Sequence, residues 1–170
     1  GYENLLLQSN TFSDAAWSPN KASVTGGQVG YDGSNDAWLL NKSGAGGNIG
    51  GTASYNGIFT QSVYLKAGTL NWAVINNSGS SSTGTYFDLE NGVVGEEANN
   101  VIFSSIESVG NGWYRCSQVL NISSVLFRIF PADGDDDVSG TSGSIYIQDA
   151  MINQGLVAYP YIETTTAPVA

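Results

Sequence analysis

Three short segments alternate apolar residues with side chains that can stack or hydrogen-bond. In 62–66, Val63 and Leu65 alternate with Ser62, Tyr64 and Lys66; in 85–90, Phe87 and Leu89 alternate with Tyr86, Asp88 and Glu90. In 125–130, Val125, Phe127 and Ile129 alternate with Leu126, Arg128 and Phe130. Successive residues of a strand point to opposite faces, so the apolar sets face a core and Tyr64, Lys66, Tyr86, Asp88, Arg128 and Phe130 face outward. Aromatic rings beside charged side chains suit a sugar, whose apolar C–H face stacks on a ring while its hydroxyls take paired hydrogen bonds. Trp38, alternating with apolar neighbours, is a further candidate platform, and Gln148 a further hydrogen-bonding group. The same aromatics would serve equally to pack against a covering loop or a neighbouring domain, and the residues alone leave both uses open.

Other chemistry is excluded or unmarked. The chain has no histidine, so neither a Ser-His-Asp nor a Cys-His nucleophilic system can be built and imidazole metal ligands are absent. A glycosidase needs only two carboxylates, yet nothing singles out a pair among Glu90, Glu96, Glu97, Glu107 and Glu163. Fifteen acidic against five basic residues give a formal charge of -10, which repels phosphate backbones and anionic bilayers. Neither nucleic acid nor a membrane is expected as a partner, and no apolar run approaches the ~20 residues of a spanning helix. The single cysteine, Cys116, excludes an intramolecular disulfide and reads as a small buried residue of a strand. The acidic run from Asp133 to Asp137 lacks the spacing and terminal Glu of a helix–loop–helix calcium site and reads as a solvated loop.

The elements that must position these groups are strands. With 22 glycines, many Ser, Thr and Asn, and repeated runs of β-branched and aromatic residues, the chain favours short strands and polar turns. Strands are expected at about 4–8, 36–41, 57–66, 69–77, 84–90, 100–106, 112–121, 124–131 and 143–152. Loops are expected at Gly26-Gly27, Gly44 to Gly47, Ser78 to Gly84 and Asp133 to Gly143. Nine short strands suggest one all-β, two-sheet sandwich over residues 1–163, with 164–170 as a tail or linker to the rest of a larger multidomain protein.

Several motifs carry a resemblance. Asn4-Leu5-Leu6 with Phe12-Ser13-Asp14 and Trp17, Ser62 through Gly68, Phe87-Asp88-Leu89 with Gly92, and Ile145-Tyr146-Ile147 through Tyr161-Ile162 are four of them; the most specific is Gly110-Asn111-Gly112-Trp113-Tyr114-Arg115-Cys116. Together they resemble the carbohydrate-binding-module-like jelly-roll domains of bacteriophage tail and receptor-binding proteins and of polysaccharide-degrading enzymes. The resemblance implies an antiparallel β-sandwich in which the three alternating strands share a sheet, so that its exposed face gathers Tyr64, Lys66, Tyr86, Asp88, Arg128 and Phe130. It also implies a structural calcium between the N-terminal segment and the last strand. Asp149 matches the family's acidic position there, and Ser13 stands where many relatives carry Glu, a departure that weakens the site unless Asp14 or backbone oxygens compensate. The function implied is non-catalytic binding of a polysaccharide or cell-surface glycan, outside the cell or on a virion surface. The alternative is a structural or interaction domain of a tail fibre, oligomeric through its parent, that contacts no sugar.

Overall fold

Gly110, Asn111 and Gly112 take φ of 95°, 56° and 82°. Trp113 pairs with Gly110 across them, so Asn111-Gly112 is a two-residue hairpin turn, whose twist needs positive φ at both central residues. The computed structural model describes residues 2–53, 55–77, 84–123 and 125–170. The loop expected from Ser78 therefore lies outside the described residues except at Gly84, as do Ser124 and the side chain of Val125.

Twelve strands are described: β1 (Ser18–Asn20), β2 (Ala22–Gln28), β3 (Ala37–Lys42), β4 (Asn48–Ala53), β5 (Gly57–Ala67), β6 (Trp72–Asn76), β7 (Gly84–Asp88), β8 (Val93–Glu97), β9 (Val101–Gly110), β10 (Trp113–Ile122), β11 (Val125–Ala132) and β12 (Gly143–Gln154). They form two six-stranded antiparallel sheets. Sheet I has the order β1-β4-β11-β6-β7-β8 and sheet II the order β2-β3-β12-β5-β10-β9. The described residues contain no helix long and apolar enough to cross a membrane.

Eight of the nine expected strands are present, and each difference has a physical cause. Residues 4–8 form no strand, because the buried Asn4 side chain takes over the pairing. Its Oδ1 accepts from the backbone N–H of Leu6 and of Ile152, and its Nδ2 donates to the carbonyls of Ala150 and Ile162. Strands β1, β2, β4 and β8 run through Pro-, Gly- or Glu-bearing segments with weak strand propensity, and long-range pairing forms them nonetheless. The expected loop at Gly26-Gly27 lies inside β2 as a bulge: pairing steps from Thr25↔Leu39 to Gln28↔Ala37, and Gly27 takes φ 74°. Residues 164–170, expected as a tail or linker, lie beside the N-terminal segment. Asn4 and Val169 exchange backbone hydrogen bonds, and the buried Thr164 donates through its hydroxyl to the carbonyl of Leu6.

The core lies between the sheets. Sheet II contributes Phe59, Val63, Leu65, Cys116, Leu120, Ile145 and Ile147; sheet I contributes Ile49, Ile75, Phe87, Phe127 and Ile129. The inward parity expected at 62–66 and 125–130 holds at every position whose side chain is described, and Phe87 and Leu89 also join the core. Cys116 is fully buried, and burial pushes its thiol well above the ordinary range. A polar thread crosses this core. Gln118 Nε2 donates to Gln61 Oε1 at 2.7 Å, Thr85 Oγ1 donates to Gln118 Oε1 at 2.9 Å, and Gln61 Nε2 donates to the carbonyl of Leu126 at 3.0 Å.

The acidic run is more than a solvated loop. Asp133 Oδ2 sits 2.7 Å from Nζ of Lys42, whose side chain has no exposed area, and also accepts from the N–H of Gly140. This ion pair ties the loop after β11 to β3.

Candidate functional site

Strand β5 belongs to sheet II, whereas β7 and β11 belong to sheet I. The single face expected to gather six outward residues is therefore two faces on opposite sides of the sandwich. Tyr86, Asp88, Arg128 and Phe130 lie on the outer side of sheet I, and Tyr64 and Lys66 on the outer side of sheet II. Alternation fixed each residue's parity correctly; sheet membership is a tertiary fact that alternation does not carry.

On sheet I the register sets the outward residues in transverse rows: Ser18–Gly50–Arg128–Asn76, then Phe130–Val74–Tyr86, then Ala132–Trp72–Asp88. The middle row is not an exposed platform. Tyr86 and Phe130 are 2% and 3% exposed and pack with Val74, Ala132, Trp72 and Val138, the last supplied by the loop after β11. Asp88 has a turn to hold: Oδ1 accepts from the N–H of Glu90 and of Asn91, and Oδ2 from Nδ2 of Asn91. Burial alone would raise its pKa, but these bonds outweigh it and hold the carboxyl below the usual range.

Arg128 is placed differently. It is half-buried and makes no hydrogen bond, ion pair or ring contact with any of the described residues, among which Lys42–Asp133 is the one ion pair. It borders an open groove of about 470 Å³ whose walls include Pro19, Asn20, Asn48, Thr52 and Leu126. Gly50 makes the groove possible, since a Cβ there would fall 3.1 Å from Cγ of Arg128. Amide, hydroxyl and guanidinium groups thus alternate with the apolar surfaces of Pro19 and Leu126. Reading the sequence missed the β1 and β4 contributions because Pro19, Gly50 and Gly51 hide those strands; the one local signal was Ile49 among polar and glycine residues.

On sheet II, Tyr64 is covered rather than presented. Tyr31, from the loop before β3, stacks on it at 3.6 Å with an interplanar angle of 6°, and the Arg115 guanidinium lies 5.3 Å from its ring centre. Lys66 Nζ lies 6.0 Å from the ring centre of Tyr146. Trp38 faces neither outer surface: it packs edge-on against Phe12, and its Nε1 donates to the carbonyl of Asn10. Its remaining exposed part borders a cleft at one end of the sandwich with Asp36 and Glu163. Gln148, expected to bond a ligand, instead ties down the Tyr31 loop, accepting from the N–H of Tyr31 and donating to Asp32.

Two of the residues expected to hold calcium, Asp14 and Asp149, have hydrogen-bond partners within the chain. Asp14 Oδ1 accepts from the N–H of Ala16, and the N–H of Asp14 donates to the carbonyl of Thr11 across Ser13, while Asp149 Oδ2 accepts from the Tyr31 hydroxyl at 2.6 Å. Among the described residues no three His, Cys, Asp or Glu side chains come together as a metal-holding group, whereas calcium takes 6–8 oxygen ligands.

Asp149 has another property. Burial, opposed by the Tyr31 hydrogen bond and reinforced by the carboxylates of Asp32, Glu163 and Asp36, raises its pKa from 3.8 to about 6. Tyr31 and Tyr161 also face it, and burial together with its charge pushes both phenols far above their ordinary range. The folded chain holds this proton more tightly than the unfolded chain, so ionised Asp149 costs stability at neutral pH, and the cost fades as pH falls through 6 toward 4. Asp149→Asn, which keeps an acceptor for Tyr31, is expected to raise the melting temperature at neutral pH and to converge with the unmodified chain near the lower limit. Thermal melts across this range check it, and an identical pH slope in both proteins would contradict it.

No family model matches the sequence, and no curated protein does. Solved structures share the fold. The N-terminal CBM22-1–GH10 modules of Clostridium thermocellum endo-1,4-β-D-xylanase 10B, complexed with xylohexaose, superpose with a TM-score of 0.54 and 16% identity, over 95% of this chain and 30% of that one. The module TmCBM61 in complex with β-1,4-galactotriose superposes with a TM-score of 0.51 and 9% identity, over 89% of this chain and 99% of that one. The enzymatically active domain of bacteriophage CBA120 tailspike protein 4 superposes with a TM-score of 0.50 and 15% identity, over 88% of this chain and 21% of that one. The chain thus spans about a fifth of the tailspike domain and under a third of the xylanase fragment. Two six-stranded antiparallel sheets and these superpositions give the protein the β-sandwich jelly-roll fold of carbohydrate-binding modules.

Proposed function

We propose that this domain is a non-catalytic glycan-binding module whose ligand lies in the sheet I groove beside Arg128. The observation that carries the reading is the Arg128 guanidinium, without a partner among the described residues, between hydrogen-bonding and apolar walls. A guanidinium presents a planar fork of donors that suits neighbouring hydroxyls, and hydrogen bonds to a charged group are worth roughly 1.5–3 kcal/mol. Asn20 and Thr52 supply further donors and acceptors, while Pro19 and Leu126 take the sugar's C–H face in place of the buried Tyr86 and Phe130. The sugar-bound modules that share the fold make saccharides the ligand class to test first. An open groove gives weak binding per site, so the module works by avidity within a larger extracellular or virion-surface protein, targeting a partner enzyme to polysaccharide or a tail protein to a glycan.

A broad glycan and polysaccharide array, run with calcium and again with chelator, tests this reading. Retention on one polymer class is expected, and the chelator arm shows whether a metal supports it. Arg128→Ala is expected to weaken retention about tenfold or more, while stability stays within about 0.5 kcal/mol. A blank array, together with a defined oligomer in light scattering, would favour a structural role in a tail fibre.

A further inference from the structure

The outer face of sheet II carries a second hollow, on the opposite side of the sandwich from Arg128. It measures about 180 Å³ and lies between β9, β10 and the segment Leu156 to Ala158. The register sets Glu107 beside Arg115 and Ser105 beside Ser117, and the two serine hydroxyls share a hydrogen bond of 2.7 Å. Arg115 is only partly satisfied. One Nη donates to the carbonyl of Tyr159 at 2.6 Å and lies 3.5 Å from Oγ of Ser62, but its buried Nε has no partner among the described residues. Glu107 accepts no hydrogen bond and joins no ion pair among the described residues, although it stands next to a cation. Phe103, Leu156 and Val157 border the same hollow and are 55%, 58% and 59% exposed, so one small concavity concentrates three exposed apolar side chains.

We propose that this hollow is a second saccharide subsite, which takes one ring of a neutral sugar with its C–H face on Phe103 and neighbouring hydroxyls bridging Glu107 and Arg115. A cation and an anion that do not pair with each other can each bond a hydroxyl, the carboxylate as acceptor and the guanidinium as donor. Their charges cancel inside the hollow, and a chain of net charge -10 gives no help to an acidic sugar. At 180 Å³ against 470 Å³ for the sheet I groove, the hollow suits a terminal or branch unit more than a chain. Sites on opposite faces would let one domain bridge two glycan strands.

The test is a ¹⁵N NMR titration of the intact chain with the methyl glycosides of glucose, galactose, mannose and xylose, one at a time, at concentrations around the millimolar Kd that corresponds to about -4 kcal/mol. At least one glycoside is expected to shift the amides of Ser105, Glu107, Ser117 and Val157 saturably. Phe103→Ala and Glu107→Gln, both at exposed positions, are each expected to weaken that binding about tenfold. Arg128→Ala is expected to leave it unchanged, which keeps this subsite's failure distinguishable from failure of the sheet I reading. Three results would overturn the proposal: no saturable shift at these amides with any of the four sugars, shifts that survive both substitutions, or the same shifts on raising protein concentration without sugar, which would assign the hollow to a second copy of the chain.

Discussion

Asp133→Ala is expected to lower stability by about 3–5 kcal/mol, the range for removing one partner of a buried ion pair. The cost comes from Lys42. Its side chain has no exposed area and its Nζ sits 2.7 Å from the lost carboxylate, so the substitution strands a buried charge. The N–H of Gly140 loses its acceptor as well, which frees the loop that lays Val138 over Tyr86 and Phe130. For a domain of this size the loss corresponds to a fall in melting temperature on the order of 10 °C. Adding Lys42→Met to Asp133→Ala is expected to restore much of it, because an apolar side chain of similar length leaves no charge to strand. Thermal melts of the single and double variants decide the matter: a double variant no more stable than the single one would show that the loop contacts, not the buried charge, carry the effect.

The second large effect lies in the polar thread of the core. Gln118→Leu nearly preserves volume but removes both the donor to Gln61 Oε1 and the acceptor for the Thr85 hydroxyl. Two buried polar groups left unpaired cost about 1–3 kcal/mol each, so a loss of about 2–6 kcal/mol is expected in denaturant unfolding. Replacing Thr85 by valine in the same chain removes one of the orphans and should recover part of the loss. If the single variant were as stable as the original, these groups would have found other partners and the thread would not be what locks sheet II to sheet I.

Short-range pattern carried much of the fold, and sheet partnership carried what it could not. The period-two alternation at 62–66 and 125–130 placed Val63, Leu65, Phe127 and Ile129 correctly, because a half-buried strand has no other way to satisfy its apolar side chains. Asn111-Gly112 announced its hairpin by residue type. Nothing local says that β11 pairs with β4 and β6 while β5 pairs with β10 and β12, and that choice splits the six outward residues between two faces. Coverage is equally non-local. Tyr64 is hidden by Tyr31 from a loop about thirty residues upstream, and Phe130 by a cluster that includes Val138. Arg115 stood within the motif that announced the fold, yet it also borders the sheet II hollow. Asn4 shows the reverse error: a strand-like stretch whose side chain does the work expected of its backbone.

The chain has two arginines, Arg115 and Arg128, one on each outer face. Their two Nε–H resonances, assigned with the Arg128→Ala variant, give a direct reading of where a glycan sits. Titrating the oligosaccharide selected by the array should move the Arg128 signal saturably, with the same apparent Kd as retention, before the Arg115 signal responds. Binding that leaves the Arg128 resonance in place would contradict a glycan site on sheet I.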